Sequence, residues 1–191
     1  MAELFSLAIT AILINNIILT KFFGMCPFLG VSKKTSSAVG MGVAVIFVIM
    51  GASIITYFLY HLVLVPFEIT YMQLITFILV IASFVQFTEM FIKKFSPSLY
   101  KSLGIYLPLI TTNCAVLYVA QDNITQSYNF IEMLVNSFSV PFGFLMILYI
   151  FSCIRERLDL ATTPNSWKGN PIALVTAALM ALAFSGFAGL V

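Results

Sequence analysis

Charge is what this sequence has least of. Asp, Glu, Lys and Arg make up 8% of its 191 residues, hydrophobic residues make up 61%, and the mean hydropathy is +1.08. A soluble domain of this size cannot hide that much apolar surface, which excludes the soluble classes and leaves a polytopic membrane protein. The net charge of +2 is too small to attract nucleic acid. Cysteine is sparse and odd in number, so Cys26, Cys114 and Cys153 make no disulfide framework. A basic leader is lacking as well. The first apolar run begins almost at Met1 and is too long for a secretory signal core, so it is expected to remain as a first span.

What the sequence does have is length in its apolar runs. A membrane-crossing helix needs roughly 20 apolar residues. Six segments qualify: Leu4–Phe22, Ala38–Leu62, Tyr71–Ile92, Leu103–Ala120, Phe130–Cys153 and Ile172–Leu190. Pro66, Pro97 and Pro164 fall in the connectors, where a missing N–H does little harm. With these spans, Lys21, Lys33, Lys34, Lys93, Lys94, Lys101, Arg155, Arg157 and Lys168 all fall on one side. The opposite connectors, "HLVLVPFE" and "QDNITQSYN", hold only His61, Glu68 and Asp122. Basic residues are kept cytoplasmic, so both termini are expected on the non-cytoplasmic side. Lys21, at a helix end, reads as a lysine snorkelling to the interface, and the other basic residues read as orientation signals.

The third and sixth spans resemble each other. Leu74/Leu174, Thr76/Thr176, Leu79/Leu179, Phe84/Phe184 and Phe87/Phe187 match at a constant offset of 100. Spans one and four then correspond, and these carry Cys26 and Cys114. Each half holds three spans, and an odd number inserts the second half upside down. The expected fold is an all-α polytopic membrane protein, one membrane domain of six transmembrane helices. They form two inverted three-helix repeats, 1–97 and 98–191, with helices one and four interrupted.

Equivalent side chains in such a repeat meet only near the midplane. Cys114 lies well inside its run, whereas Cys26 returns to mid-depth only if span one breaks, at Asn15 and Asn16 or at Gly24 with Pro27. Pro27 is expected to open a short half-helix with Cys26 at its cap. Pro108 disturbs span four, and Asn113 is expected to cap a second half-helix starting at Cys114. Plainer readings stay open: Pro27 and Pro108 as ordinary kinks, and Asn15, Asn16, Thr111, Thr112 and Asn113 as interhelical hydrogen-bonding groups. Two mid-membrane thiols facing positive helix ends suit a soft metal or an iron–sulfur cluster. Such a cluster usually takes four cysteines, so a partner would supply the rest. Cys153 reads as a small core hydrophobe.

Several stretches carry a family resemblance: "LINNIILTKFFGMCPFLGVSKK", "LVIASFVQFTEMFIKKFSPSLYKSLGIYLPLITTNCAVL", and "IRERL" with "LVTAALMALAFSGFAGLV". Over essentially its whole length the chain resembles the A-type membrane subunits of the Rnf ion-translocating ferredoxin:NAD oxidoreductase. The E-type subunits of the Na⁺-translocating NADH:quinone reductase are homologous and are the alternative assignment; Pro27 after the first cysteine leans towards Rnf. The resemblance implies a multi-pass subunit in a bacterial or archaeal cytoplasmic membrane. It implies pairing with a paralogous E-type subunit of opposite topology, alongside the B-, C-, D- and G-type subunits of the Rnf complex. It further implies one intramembrane [2Fe–2S] cluster shared by the pair, with Cys26 of "GMCPFLG" and Cys114 of "TTNCAVL" as two of its four ligands. Cys153 lies outside both motifs. The implied role is to pass electrons across the bilayer while ferredoxin:NAD electron transfer is coupled to Na⁺ or H⁺ movement. There is no glycine-rich phosphate loop, so no flavin or nicotinamide site is expected and no complete active site lies in this chain alone.

Two rivals from other classes are a non-redox inverted-repeat transporter, in which the cysteines only pack, and a structural anchor for redox partners. Among the remaining polar residues, Glu89 and Lys93 read as a helix-end ion pair. The sharper reading puts Gln86, Glu89 and Glu132 on an ion path or at the partner interface. His61 reads as a solvated interfacial residue, and Tyr100, Tyr118 and Trp167 as interface anchors.

Overall fold

The computed structural model describes residues 2–67, 70–95, 110, 113–160 and 169–186. Among these residues all regular structure is helical. Helix α1 is Ala2–Ile9, extended by a π-helical turn at Thr10–Ile14, and α2 is Met25–Val31. Helix α3 is Thr35–Leu59, extended by a π-helical turn at Tyr60–Leu64, and a 3₁₀ turn at Thr70–Met72 leads into α4, Gln73–Phe95. The remaining helices are α5 (Cys114–Thr125), α6 (Phe130–Asp159) and α7 (Asn170–Ser185).

Among the described residues, three helical stretches are long and apolar enough to cross a membrane: Thr35–Leu64, Gln73–Phe91 and Phe130–Asp159. They correspond to expected spans two, three and five. Leu4–Ile14 and Asn170–Ser185 are shorter apolar helices. The first therefore stops well short of Phe22, which was expected to end span one. In span four, Pro108, Thr111 and Thr112 lie outside the described residues, and the helix there begins at Cys114. Glu68, Pro97, Tyr100, Lys101, Pro164, Trp167, Lys168 and Phe187 also lie outside them.

In lipid no hydrophobic gain comes from joining two helices, so close packing and small residues decide which faces meet. Gly42 of α3 sits directly against Leu145 of α6, and Gly51 of α3 against the ring of Phe84 on α4. Met41, Val45, Ile49, Phe144, Leu148 and Phe151 fill the core around the α3–α6 contact. A buried polar network ties α5 to α6: Asn123 Nδ2 donates to Ser137 Oγ at 2.9 Å, and Asn136 Nδ2 donates to Asn123 Oδ1 at 2.8 Å.

The helices give the bundle two chemically distinct ends. At one, the Thr35 N–H and hydroxyl, at the start of α3, both donate to Glu156 of α6 at 3.0 Å. Lys33, Lys34, Arg155 and Arg157 gather there. Lys93 and Lys94 join them, because the C-terminal half of α4 runs beside the N-terminal half of α3, with Val85, Thr88 and Glu89 near Gly40, Val43 and Phe47. The other end holds Tyr57, His61, Asn129 and Glu132.

Candidate metal centre

The first cysteine motif follows a break in α1. The helix ends at Asn15, whose φ of −93° and ψ of 42° leave the helical region. A broken helix in an apolar environment needs partners for its freed backbone groups. Asn16 supplies them locally: its Nδ2 donates to Ile12 O at 3.1 Å and its Oδ1 accepts from Ile18 N–H at 3.2 Å. The Thr20 hydroxyl closes on Asn16 O at 2.8 Å, and Phe23 N–H on Ile17 O at 3.1 Å. Asn16 therefore serves its own segment and is not an interhelical bridge. Gly143 of α6 lets this turn approach, since a Cβ there would lie 2.9 Å from Ile12 O.

The chain then re-enters a helix at Met25. Phe22 and Gly24 both have positive φ, 57° and 82°. At Gly24 two constraints coincide: the left-handed conformation, and a Cβ that would meet Phe144 Cε2 at 2.8 Å. Both suggested break points are thus used, one to leave the helix and one to resume it. The expected cap is corrected: Gly24 is the cap of α2, with Cys26 and Pro27 inside the first turn. Proline is tolerated there because a first-turn N–H has no intrahelical partner.

The second motif follows the expected pattern. Asn113 caps α5, its side chain accepting the Ala115 N–H at 3.1 Å, and Cys114 is the first helical residue. One contact joins the two motifs across ninety residues of chain: the Gly24 N–H donates to Cys114 Sγ at 3.0 Å. Beside it, the rings of Phe23 and Tyr118 stack with centroids 4.9 Å apart. Cys26 and Cys114 are both free and exposed. Tyr118, read from sequence as an interface anchor, instead walls this site.

Helix α2 is held from its far end by α6. Phe28 stacks on Phe151 with centroids 4.1 Å apart. Arg155 is buried, 3% exposed, and its Nη1 donates to Leu29 O and Ser32 Oγ, each at 2.8 Å. Ser152 Oγ donates to Ser32 O at 3.0 Å. These bonds satisfy carbonyls that a helix C-terminus leaves unpaired. Sequence reasoning took Arg155 only as an orientation signal. Its spacing with Phe151 and Ser152, on the face that also carries Ile147 and Leu148, was the available clue.

Lys21 needs a larger correction. It does not stand with the other basic residues. It lines a polar cavity of about 540 Å³ with Ser6, Thr10 and Asn15 of the first helical segment and with Asp122 and Tyr128 at the C-terminal end of α5 and just beyond it. Asp122 is half-buried there, with Gln126, Asn136 and Tyr118 around its carboxylate and Lys21 as the facing charge. Depth explains the misreading: because α1 stops at Ile14, residue 21 is not carried to the far interface.

The other singled-out residues have local roles. Glu132 Oε2 accepts the Asn129 N–H at 2.9 Å in a capping box, a helix-start function. Glu89 borders an apolar cleft with Val43, Phe47 and Ile110, and Gln86 is exposed on the same helix. Apolar walls do not favour an ion path. His61 is exposed and packs against Tyr57 at 4.5 Å. Cys153 is half-buried on α6. Among the described residues no three of His, Cys, Asp and Glu are gathered as a metal site. The two motif thiols are soft donors of the type that holds iron–sulfur clusters, and a backbone N–H already reaches one of the sulfurs; this donor set fits half of such a centre.

Comparison with known proteins follows the same lines. The family model described as "Rnf-Nqr subunit, membrane protein" matches residues 4–191. The chain is 56% identical over 182 residues to the A-type subunit of the Na(+)-translocating ferredoxin:NAD(+) oxidoreductase complex of Acetobacterium woodii, covering 95% of each chain. It is 54% identical to the A-type subunit of the ion-translocating oxidoreductase complex of Syntrophotalea carbinolica, covering 100% of this chain and 99% of the relative. The corresponding subunit of Shewanella sediminis is 52% identical over the full length of both.

Proposed function

The chain belongs to the Rnf-Nqr family, as a membrane subunit of an ion-translocating oxidoreductase complex, and from that premise we propose that it holds half of an electron-carrying metal centre inside the bilayer. Cys26 and Cys114 supply two thiolate ligands to a [2Fe–2S] cluster, and a paralogous subunit of opposite topology supplies the other two. The observation that carries this reading is the Gly24 N–H bond to Cys114 Sγ, which brings the two cysteine motifs together. When bound, the cluster supplies one-electron transfer between the complex's donors and acceptors.

The residues around the thiols have separable tasks. Gly24 turns the chain so that its N–H meets a sulfur. Asn113 starts α5 at Cys114. Phe28, Phe151 and Arg155 fix α2, which carries Cys26. The basic end of the bundle faces the cytoplasm, with six spans arranged as two inverted halves. The Lys21–Asp122 cavity is the route by which the coupling ion approaches the centre from the other side, ending at the Phe23–Tyr118 ring pair.

Electron paramagnetic resonance, with iron and acid-labile sulfide analysis, tests the assignment on the purified complex. One cluster per subunit pair is expected in the unaltered complex and in Cys153→Ser. Cys26→Ser and Cys114→Ser should each remove it. Absence of iron from the unaltered pair, or loss with Cys153→Ser but not with Cys26→Ser, would overturn the assignment.

A further inference from the structure

Two separate segments pass from a charged cavity to the cysteine junction, and each does so through an aromatic ring. On α5, Asp122, Tyr118 and Cys114 are spaced four residues apart, which puts them on one face of the helix. On the turn before α2, Lys21, Phe23 and Gly24 make the same passage. Lys21 and Asp122 line the polar cavity of about 540 Å³. Gly24 and Cys114 meet where the N–H of one donates to Sγ of the other, at 3.0 Å. Between these two levels the rings of Phe23 and Tyr118 stack, with centroids 4.9 Å apart and planes 30° apart. Tyr118 lines the cavity and is among the groups around the Asp122 carboxylate, and its ring lies on Phe23.

Ordinary core packing does not account for this pair. Phe23 is 36% exposed and Tyr118 is half-buried, whereas the core rings of Phe28, Phe144 and Phe151 are fully buried. Phe23 is also held at a cost. Phe22, just before it, has φ 57°, where a bulky L-residue is strained, and the Phe23 N–H is fixed to Ile17 O at 3.1 Å. A polar cavity of that size holds water, and tyrosine suits a position with one wet end and one apolar end. We infer that Phe23 and Tyr118 are positioning residues that form a partition between the Lys21–Asp122 cavity and the Cys26–Cys114 centre, keeping the cavity's water off the sulfurs. The inference rests on the ligand assignment proposed above. Solvent exposure is one of the influences that set an iron–sulfur potential. Reduction adds negative charge, which water stabilises, so opening the partition should favour the reduced form.

The test compares Tyr118→Ala in the intact complex with Tyr118→Phe, which keeps the ring and loses only the hydroxyl. Each is followed by redox titration and by pulsed electron paramagnetic resonance in D₂O buffer. Tyr118→Phe should match the unaltered complex in both. Tyr118→Ala should deepen the deuterium modulation of the reduced centre at least twofold. It should also shift the one-electron equilibrium at least tenfold towards the reduced form, about 59 mV. Phe23→Ala opens the partition from the other segment and should do the same, which covers the case in which Tyr118→Ala does not assemble. Unaltered modulation and potential in the alanine variants would overturn the inference and leave the ligand assignment standing. A missing signal in the unaltered complex would instead overturn the assignment. A measurement without substitution checks the same point. The unaltered centre should show shallower deuterium modulation than a water-exposed [2Fe–2S] protein; equal depth would overturn the inference.

Discussion

Gly24→Ala isolates what the turn into α2 demands. An L-residue at φ 82° costs roughly 1–2 kcal/mol in conformation alone. The new methyl would also lie 2.8 Å from Phe144 Cε2, inside a fully buried part of the core. Overpacking of that kind costs typically about 1–3 kcal/mol, so the sum is about 2–5 kcal/mol. Two other glycines separate these contributions. Gly169 has φ 96° and ψ −121°, outside the left-handed helical region, but among the described residues nothing lies within 4 Å of a Cβ, so Gly169→Ala should cost only a conformational share, about 1–3 kcal/mol. Gly186 has a helical φ of −61° and, among the described residues, nothing within 4 Å of a Cβ, so Gly186→Ala should be neutral or gain about 0.4–1 kcal/mol. The assay is thermal unfolding of the purified complex in one detergent, with iron content measured on the same samples. Gly24→Ala should melt lowest and lose iron, because its N–H no longer reaches Cys114 Sγ, whereas the other two keep it. A Gly24→Ala complex that melts with Gly169→Ala and retains its iron would refute the reasoning.

Other consequences can be checked more briefly. Lys21→Met and Asp122→Asn should each slow ion uptake by proteoliposomes while leaving the metal signal intact. The double variant should recover part of the loss, because it removes the unpaired charge that each single variant leaves; wild-type uptake in both single variants would take the cavity off the ion's route. Arg155→Met leaves Leu29 O and Ser32 Oγ without their donor and should speed hydrogen exchange across residues 25–32. Arg157→Met, at an exposed position, should not do so. Single reporter cysteines in an otherwise cysteine-free chain should be reached by an impermeant label from the cytoplasm at Lys33 or Arg157, and from outside at Pro66 or Ser127. The reverse pattern would invert the assigned orientation.

Much of the architecture was legible because it rests on length and period. Spans two, three and five needed only apolar runs, and α3, α4 and α6 lie on them. The Asn113–Cys114 start was legible too, since an asparagine before an apolar run has a local physical reason to begin a helix. Two of the errors share one cause. Counting charges by loop assigns a side to each residue but not a depth. Lys21 and Arg155 both read as interfacial on the basic side, yet one lines an open polar cavity with Asp122 and the other is buried against α2. The start of α2 was misjudged by two residues for a different reason. Proline can occupy any first-turn position, whereas the left-handed turn at Gly24 depends on how closely Phe144 approaches, and that is set by α6.

Breaking a membrane helix is costly because every freed backbone group must find a partner away from water. The first break meets that demand within the chain. Asn16 and Thr20 close the end of α1, and Arg155 and Ser152 close the end of α2. At the second break Asn113 closes the start of α5 with its oxygen only. At the meeting of the two breaks lie the two cysteine motifs, with both thiols exposed and one of them, Cys114, accepting the Gly24 N–H. Breaks that served only to bend helices would have no need to bring both cysteine motifs to one junction. The proposed half-site for a shared sulfur-rich centre would need that arrangement, with its two ligands facing outward to a partner.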